Sequence, residues 1–320
     1  MPSSITKLQL FHASNTKQSI LIACFLMLFI STEVFASNTK SNILVTIKPL
    51  YSLVTHLTQG INQPVLLFKN IQTLHHYNMR PSERRLLADA DIVIWLGPEL
   101  EPQLSKIIQT DASKTLSISV MQARNLKLLN KRSKHSHDKN HAHEEHANNG
   151  HTTDPHIWLS AHNAAQISRH IADRLISHDP KNTEPYKTNL QRLLTKIEHT
   201  KNAIKTTLDK NKKPYIAIHD AFQYYEEEYA LNYVASIIYG EGTSTSLKHL
   251  RQIKSQIKNQ NIRCLVYQPP RPAIVTTLTK KTAIKTAELD PIGVKIDNGK
   301  NAWFELMQQI SINLSACLSD

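Results

Sequence analysis

Short apolar runs closed by turn residues alternate along the chain with stretches whose apolar positions recur at a period near 3.6. That is the pattern of a parallel sheet covered by helices. Ile43 to Ile47 predicts a first strand. Leu50, Leu53, Val54 and Leu57 then keep helical spacing until Gly60 stops the helix. Val65 to Phe68 predicts a second strand and Asp91 to Leu96 a third, ended by Gly97-Pro98. Behind Ser160, a candidate N-cap, Ala164, Ile167, Ile171 and Leu175 mark a further helix. These elements predict a doubly wound lobe over residues 37–180, with a long polar loop, 132–153, inserted after Leu129.

Beyond Asp179-Pro180, the residues Tyr186, Leu190, Leu193, Leu194, Ile197, Ile204 and Leu208 hold helical spacing. This predicts about 25 residues of continuous helix within 181–210, longer than most globular helices and suited to joining two lobes. A second α/β lobe over 211–320 follows, with strands at Tyr215 to Ile218, Ile262 to Tyr267 and Ala283 to Leu289. Its last helix includes Trp303, Leu306, Met307 and Ile310. The expected fold class is α/β: two lobes, each a mainly parallel sheet flanked by helices, bridged by one long rigid helix.

Residues 1–36 read as an export signal. Lys7 and Lys17 precede an apolar run from Ile20 to Ile30, and Val34-Phe35-Ala36 offers a small-residue cleavage site before Ser37. The run is short of the roughly twenty residues a spanning helix needs. Leu21-Ile22-Ala23-Cys24 resembles a lipoprotein box, but its cysteine sits inside the apolar run rather than after it. About 284 residues remain, enough for two α/β lobes with substantial cores. The formal charge of +12 could suit nucleic acid; the export signal and the scatter of Lys and Arg along helix faces favour solvated surface instead. Two cysteines survive processing, Cys264 and Cys317. In an oxidising compartment such a pair reads as a disulfide, with two unpaired buried thiols as the alternative.

Six histidines, His135, His137, His141, His143, His146 and His151, fall within seventeen residues that carry no apolar side chain larger than Ala. Such a segment cannot build a core but can hold a borderline divalent metal; the alternative is a polar insertion without that role. Three other histidines stand where a strand ends or a helix is about to begin. His75 lies in Leu74-His75-His76-Tyr77 and His156 in Asp154-Pro155-His156-Ile157-Trp158, while His219 follows the strand Tyr215 to Ile218. Asp290 ends the strand finishing Glu288-Leu289. In open α/β sheets ligands bind beyond the carboxyl ends of the strands, so residues distant in sequence can converge there.

These stretches carry a family resemblance. His75-His76-Tyr77-Asn78-Met79-Arg80-Pro81-Ser82, Ala90-Asp91-Ile92-Val93-Ile94-Trp95-Leu96-Gly97-Pro98-Glu99-Leu100-Glu101, Asp154 to Ser160, Ile218-His219-Asp220-Ala221-Phe222 and Glu288-Leu289-Asp290-Pro291-Ile292-Gly293 occur in order. The chain thereby resembles the periplasmic metal-binding components of ABC importers for zinc and manganese, the cluster A-I substrate-binding family, and within it the ZnuA-type branch. The resemblance implies Zn2+ bound between the lobes by His75, His156 and His219, with Asp290 a fourth ligand or a neighbour held off by water. It also implies a secondary metal loop formed by the six clustered histidines and a disulfide between Cys264 and Cys317. A membrane permease of a zinc ABC importer would be the partner of a monomeric periplasmic protein that binds no nucleic acid. Two positions depart from the pattern. Leu74 stands where a proline is usual, and His76 where an acidic residue is usual, which makes His76 the alternative to His75. His219 in place of a glutamate favours zinc over manganese, because imidazole suits zinc and manganese prefers carboxylate oxygen.

Two other functional classes fit three histidines with an open fourth position. A zinc hydrolase would need a general base beside the metal-bound water, as in H-E-x-x-H, and the chain has no such motif. Asp220 and Glu226 to Glu228 could supply a carboxylate, but their spacing reads equally well as a solvated helix face. A passive metal buffer or adhesin would make the histidine-rich loop primary and the cleft incidental.

Overall fold

The computed structural model describes residues 41–69, 79–110, 115–132, 153–239, 245–280 and 282–319. The export signal with its cleavage site, Cys24, His75, His76 and the six clustered histidines lie outside the described residues. Among those described, no helix is long and apolar enough to cross a membrane.

Two parallel four-stranded sheets form the frame. In the first, β1 (Ile43–Val45), β2 (Val65–Leu66), β3 (Ile92–Trp95) and β4 (Leu116–Ser119) take the order β2-β1-β3-β4. In the second, β5 (Tyr215–His219), β6 (Tyr233–Ile238), β7 (Cys264–Tyr267) and β8 (Lys285–Glu288) take the order β6-β5-β7-β8. Every residue of β1 and β3 is buried, as expected of strands covered on both faces. The apolar run at β2 pairs along its whole length, since Leu67 N donates to Val45 O at 2.8 Å and Phe68 N to Thr46 O at 3.1 Å. The hydrophobic pattern does not single out β4 or β6. Both are edge strands, and Ser117, Ser119 and Ser236 interrupt their apolar character.

Each sheet reverses its strand order beside its first strand, between β1 and β3 and between β5 and β7. Such reversal points open a crevice at the carboxyl ends of the strands. In the first sheet the buried Glu101 fills this place, accepting from Leu96 N at 2.6 Å and Thr46 Oγ1 at 3.3 Å; burial pushes its carboxyl up to about 7. Just before it, Gly97 has φ +135°, and a Cβ there would meet Ser119 Oγ at 2.6 Å, so the turn out of β3 requires glycine.

The helices complete the layers. α1 (Lys48–Leu57) begins with Pro49 in its first turn and ends before Gly60, whose φ is +79°. α2 (Pro81–Ala88) and α3 (Pro102–Thr110) follow β2 and β3. α4 (Ala161–His178) is capped as its sequence predicts, Ser160 Oγ accepting from Asn163 N at 3.1 Å. α5 (Thr183–Leu208) is 26 residues long and packs one face, with Tyr186, Leu193, Ile197, Ile204 and Leu208, against α1, α4 and α9 (Ala302–Leu318). Asn189 on α5 donates to Leu57 O at 3.0 Å and Gln59 O at 2.8 Å, satisfying carbonyls left open at the end of α1.

One continuous hydrophobic core reaches from the first sheet through these helices to the second. A separate cluster, including Ile216, Ile218, Ile253, Leu265 and Val275, lies between the second sheet, α7 (Leu247–Asn259) and α8 (Ala273–Thr279). Directed polar contacts fix the junction between the lobes. Trp158 Nε1 donates to Pro291 O at 2.7 Å, Trp303 Nε1 donates to Trp158 O at 2.8 Å, and the buried Lys48 donates to Gly293 O and Ile296 O. Each donor is satisfied where water is excluded, so the junction carries few unpaired groups.

Cys264 on β7 and Cys317 on α9 form a disulfide with Cα atoms 5.5 Å apart. It closes a loop spanning 53 positions, for which the chain-entropy relation gives about 4 kcal/mol. Replacing both cysteines by serine is expected to lower the unfolding free energy by up to that amount. Denaturant titration of the metal-free protein measures this, and an unchanged midpoint would show that the link adds nothing.

Candidate metal centre

His219 is the last residue of β5, beside the reversal point of the second sheet. The neighbouring strand β7 ends at Tyr267, and the next residue, Gln268, places its side-chain Nε2 2.9 Å from His219 Nδ1. An amide can turn either its N–H2 or its carbonyl to an imidazole nitrogen. With the amide nitrogen there, the N–H2 donates to Nδ1 and the ring proton sits on Nε2; a half-turn of the amide brings its carbonyl to accept from Nδ1–H and frees Nε2 for a metal.

His156 enters from the first lobe, immediately before the short turn Ile157–Leu159 that leads into α4. It is only 6% exposed. Asp154 Oδ1 accepts from the His156 backbone N–H at 2.9 Å and lies 2.8 Å from ring Nδ1. This carboxylate–imidazole pair fixes the ring and favours the tautomer whose Nε2 holds a lone pair, the arrangement found behind metal-bound histidines. Burial opposes the charge on Asp154, but the His156 imidazole, its two N–H donors and Arg132 hold the carboxyl below its ordinary value.

The two imidazoles meet edge to face, their centroids 5.7 Å apart at an interplanar angle of 73°. Two imidazoles binding one tetrahedral zinc through nitrogens at about 2.0–2.1 Å would have centroids roughly 5 Å apart. The observed pair is thus close to that spacing. Among the described residues no group of three or more His, Cys, Asp or Glu side chains is arranged to hold an ion; His75 and His76 fall outside them.

Asp290, just past β8, turns onto its own loop. Its Oδ1 accepts from Ile292 N at 3.1 Å and Gly293 N at 2.8 Å, and its Oδ2 accepts from Val294 N and, at 3.4 Å, from Lys295 N. Four backbone donors therefore share the carboxylate, and Gly293, at φ +75°, gives the loop the turn this needs.

The carboxylates of α6 (Gln223–Glu228) depart from the solvated face that their spacing suggests. Glu226 is 4% exposed and Asp220 9%. Glu228 accepts from Ala161 N at 2.6 Å and His162 N at 3.2 Å, closing the N-terminus of α4, while only Glu227 pairs at the surface, with Lys127. Arg132, unremarkable in sequence, is the cation beside Asp220 and Glu226. Gln268 and Arg132 carry no sequence signal of their own, because their partners are brought near only by the fold.

The capping role of Asp290 is directly measurable. Asp290→Ala leaves four backbone N–H groups without their acceptor, and the metal-free protein is expected to lose about 1–3 kcal/mol of stability. Chemical denaturation checks this; unaltered stability would mean that the loop finds other acceptors.

The chain matches the family model described as zinc-uptake complex component A, periplasmic, over residues 43–317. It is 26% identical over 333 residues to the high-affinity zinc uptake system protein ZnuA of Brucella suis, covering 95% of this chain and 99% of that protein. Among solved structures it matches a crystal structure of ZnuA with a TM-score of 0.72 at 19% identity, covering 87% of this chain and 99% of the other. A zinc-bound deletion mutant of ZnuA gives the same TM-score and identity, over 88% of this chain and 98% of the other. At that identity the structural likeness concerns the fold. The match over nearly all of the chain after its first 42 residues places it in the periplasmic zinc-uptake complex component A family.

Proposed function

We propose that this protein is the extracytoplasmic binding component of a zinc importer. It captures Zn2+ where the carboxyl ends of its strands converge and hands it to an ABC permease in the membrane. Zinc is the cargo. The observation that carries the reading is the pair His156 and His219, 5.7 Å apart, each with a side-chain partner at Nδ1. His75 supplies the third imidazole through its place in the family motif, with His76 as the alternative, and Asp290 serves as a near neighbour occupied with its own loop. A set dominated by imidazole suits zinc better than manganese. The names of the family and of the relative from Brucella suis support zinc uptake, a periplasmic location and a place in an uptake complex of several components.

Binding rather than catalysis fits the carboxylates flanking these histidines. Asp154 serves His156, Asp220 pairs with Arg132, and Asp290 holds backbone N–H groups. A hydrolytic general base would have to give up one of these contacts. The histidine-rich loop is a secondary binder, and each of its sites must pay the ordering entropy of the chain that forms it.

Zinc titration against a competing chelator tests the reading. Deletion of residues 135–151 is expected to leave one tight equivalent and remove weaker ones, whereas His75→Ala, His156→Ala and His219→Ala each weaken the tight site by well over about tenfold. Tight binding unchanged in His219→Ala sinks the cleft site; loss of the tight equivalent on loop deletion favours a passive buffer.

The pH profile gives a separate check. An imidazole must lose its proton to coordinate, so the affinity of the loop-deleted protein should fall steadily from pH 7.5 towards pH 5. A carboxylate-only site would stay nearly flat until about pH 5.

A further inference from the structure

The chain segments that frame the histidine-rich loop run side by side as a neck. Asn130 and Thr153 form an antiparallel bridge, and Asp154 N donates to Leu129 O at 2.8 Å. Two side chains fasten this neck to the second lobe from opposite directions. Tyr224, on α6, sets its hydroxyl between the two segments, accepting from Leu129 N at 3.1 Å and donating to Asp154 O at 2.9 Å. Arg132, on the neck, reaches the other way. Its Nη1 lies 2.8 Å from Asp220 Oδ1, its Nη2 lies 2.6 Å from Glu226 Oε2, and its guanidinium carbon lies 3.9 Å from the centroid of the Tyr233 ring. Glu226 is tied in turn to the centre of the second sheet by Tyr215 Oη, 2.7 Å away.

Both histidines of the metal centre stand at the ends of this brace. Asp220 follows His219 in the chain, and Asp154, on the neck, orients His156. We propose that Arg132 is a positioning residue for the metal centre: by clamping Asp220 and Glu226 to the neck that bears Asp154 and His156, it sets the spacing of the His156 and His219 imidazoles. The inference rests on the cleft-site reading given above.

The chemistry of the contact asks for arginine. Two buried carboxylates repel unless a cation stands between them, and a buried charge stripped of its partner is strongly unfavourable. The guanidinium presents several donors in a plane and its flat face to an aromatic ring at once, whereas a lysine ammonium is a single point charge. Burial opposes the Arg132 charge, but Glu226 and Asp220 outweigh it and raise its pKa. Burial pushes Glu226 up to about 7 against the pull of Arg132. Without Arg132 the metal would itself have to draw the two imidazoles together, so affinity would fall with every ligand still present.

The test uses the full chain. Zinc affinity by chelator competition and the visible spectrum of the protein with one equivalent of cobalt(II) are compared for the parent, Arg132→Met, Arg132→Lys, His219→Ala and Ile253→Ala. Ile253 lies in the separate cluster of the second sheet and serves as a control for general destabilisation. Arg132→Met is expected to lose about tenfold or more in zinc affinity and to shift the cobalt spectrum. Arg132→Lys should fall between Met and parent, and Ile253→Ala should lower the melting temperature while leaving both readouts alone. The proposal is overturned if both Arg132 variants keep the parent spectrum and an affinity within about twofold, or if Ile253→Ala weakens binding as much as Arg132→Met does. Should Arg132→Met fail to fold, Arg132→Lys against parent decides by the same criteria. Tight binding retained by His219→Ala would remove the cleft site itself; tight binding lost there but kept by the Arg132 variants would leave the site standing and the clamp refuted.

Discussion

Imidazole gives a metal one nitrogen, and only when that nitrogen is unprotonated, so a site built on histidines depends on what holds the other nitrogen of each ring. Asp154 occupies that place for His156 and Gln268 for His219, both at hydrogen-bond distance from Nδ1. The remaining architecture bears on this arrangement. His219 and Gln268 are fixed relative to one another because they end adjacent parallel strands on either side of the reversal point. Asp154 and His156 belong to a buried segment whose next aromatic, Trp158, is pinned between Pro291 and Trp303.

A site assembled from two lobes requires the lobes to hold their relation when no metal is present. The continuous core across α1, α4, α5 and α9 supplies most of this through apolar burial. Several polar groups inside it are directed at partners. Lys48 is saturated by carbonyls of the Asp290 loop, and that loop is in turn organised by the Asp290 carboxylate. Glu228 of the second lobe closes the N-terminus of α4. In a low-dielectric interior such pairings are costly to break, which makes the junction specific as well as cohesive.

Much of the frame is legible in the sequence for a physical reason. Strands buried on both faces must be nearly continuous apolar runs, so β1, β3, β5 and β7 stand out. Helices with one buried face, such as α4 and α5, carry a 3.6-residue stripe. Edge strands are covered less completely, and β4 and β6 escape the same reading. His156 and His219 are legible from their places at element boundaries, and Cys264 and Cys317 from their isolation in a chain whose first residues read as an export signal. The brace behind the site is not legible. Glu226 occupies a position whose helical spacing suits a solvated face, yet its environment is decided by Tyr215 and by Arg132. Arg132 and Asp220 lie 88 positions apart, and no local pattern announces their contact.

The proposed loaded state has one zinc ion held mainly by imidazole, with His156 and His219 as two of its ligands. X-ray absorption at the zinc edge, on protein carrying a single equivalent, tests it most directly because multiple scattering from imidazole rings counts them. Three imidazoles with Zn–N distances of about 2.0–2.1 Å are expected, and one fewer in His219→Ala. A first shell dominated by oxygen, or an imidazole count that His219→Ala leaves unchanged, would contradict it.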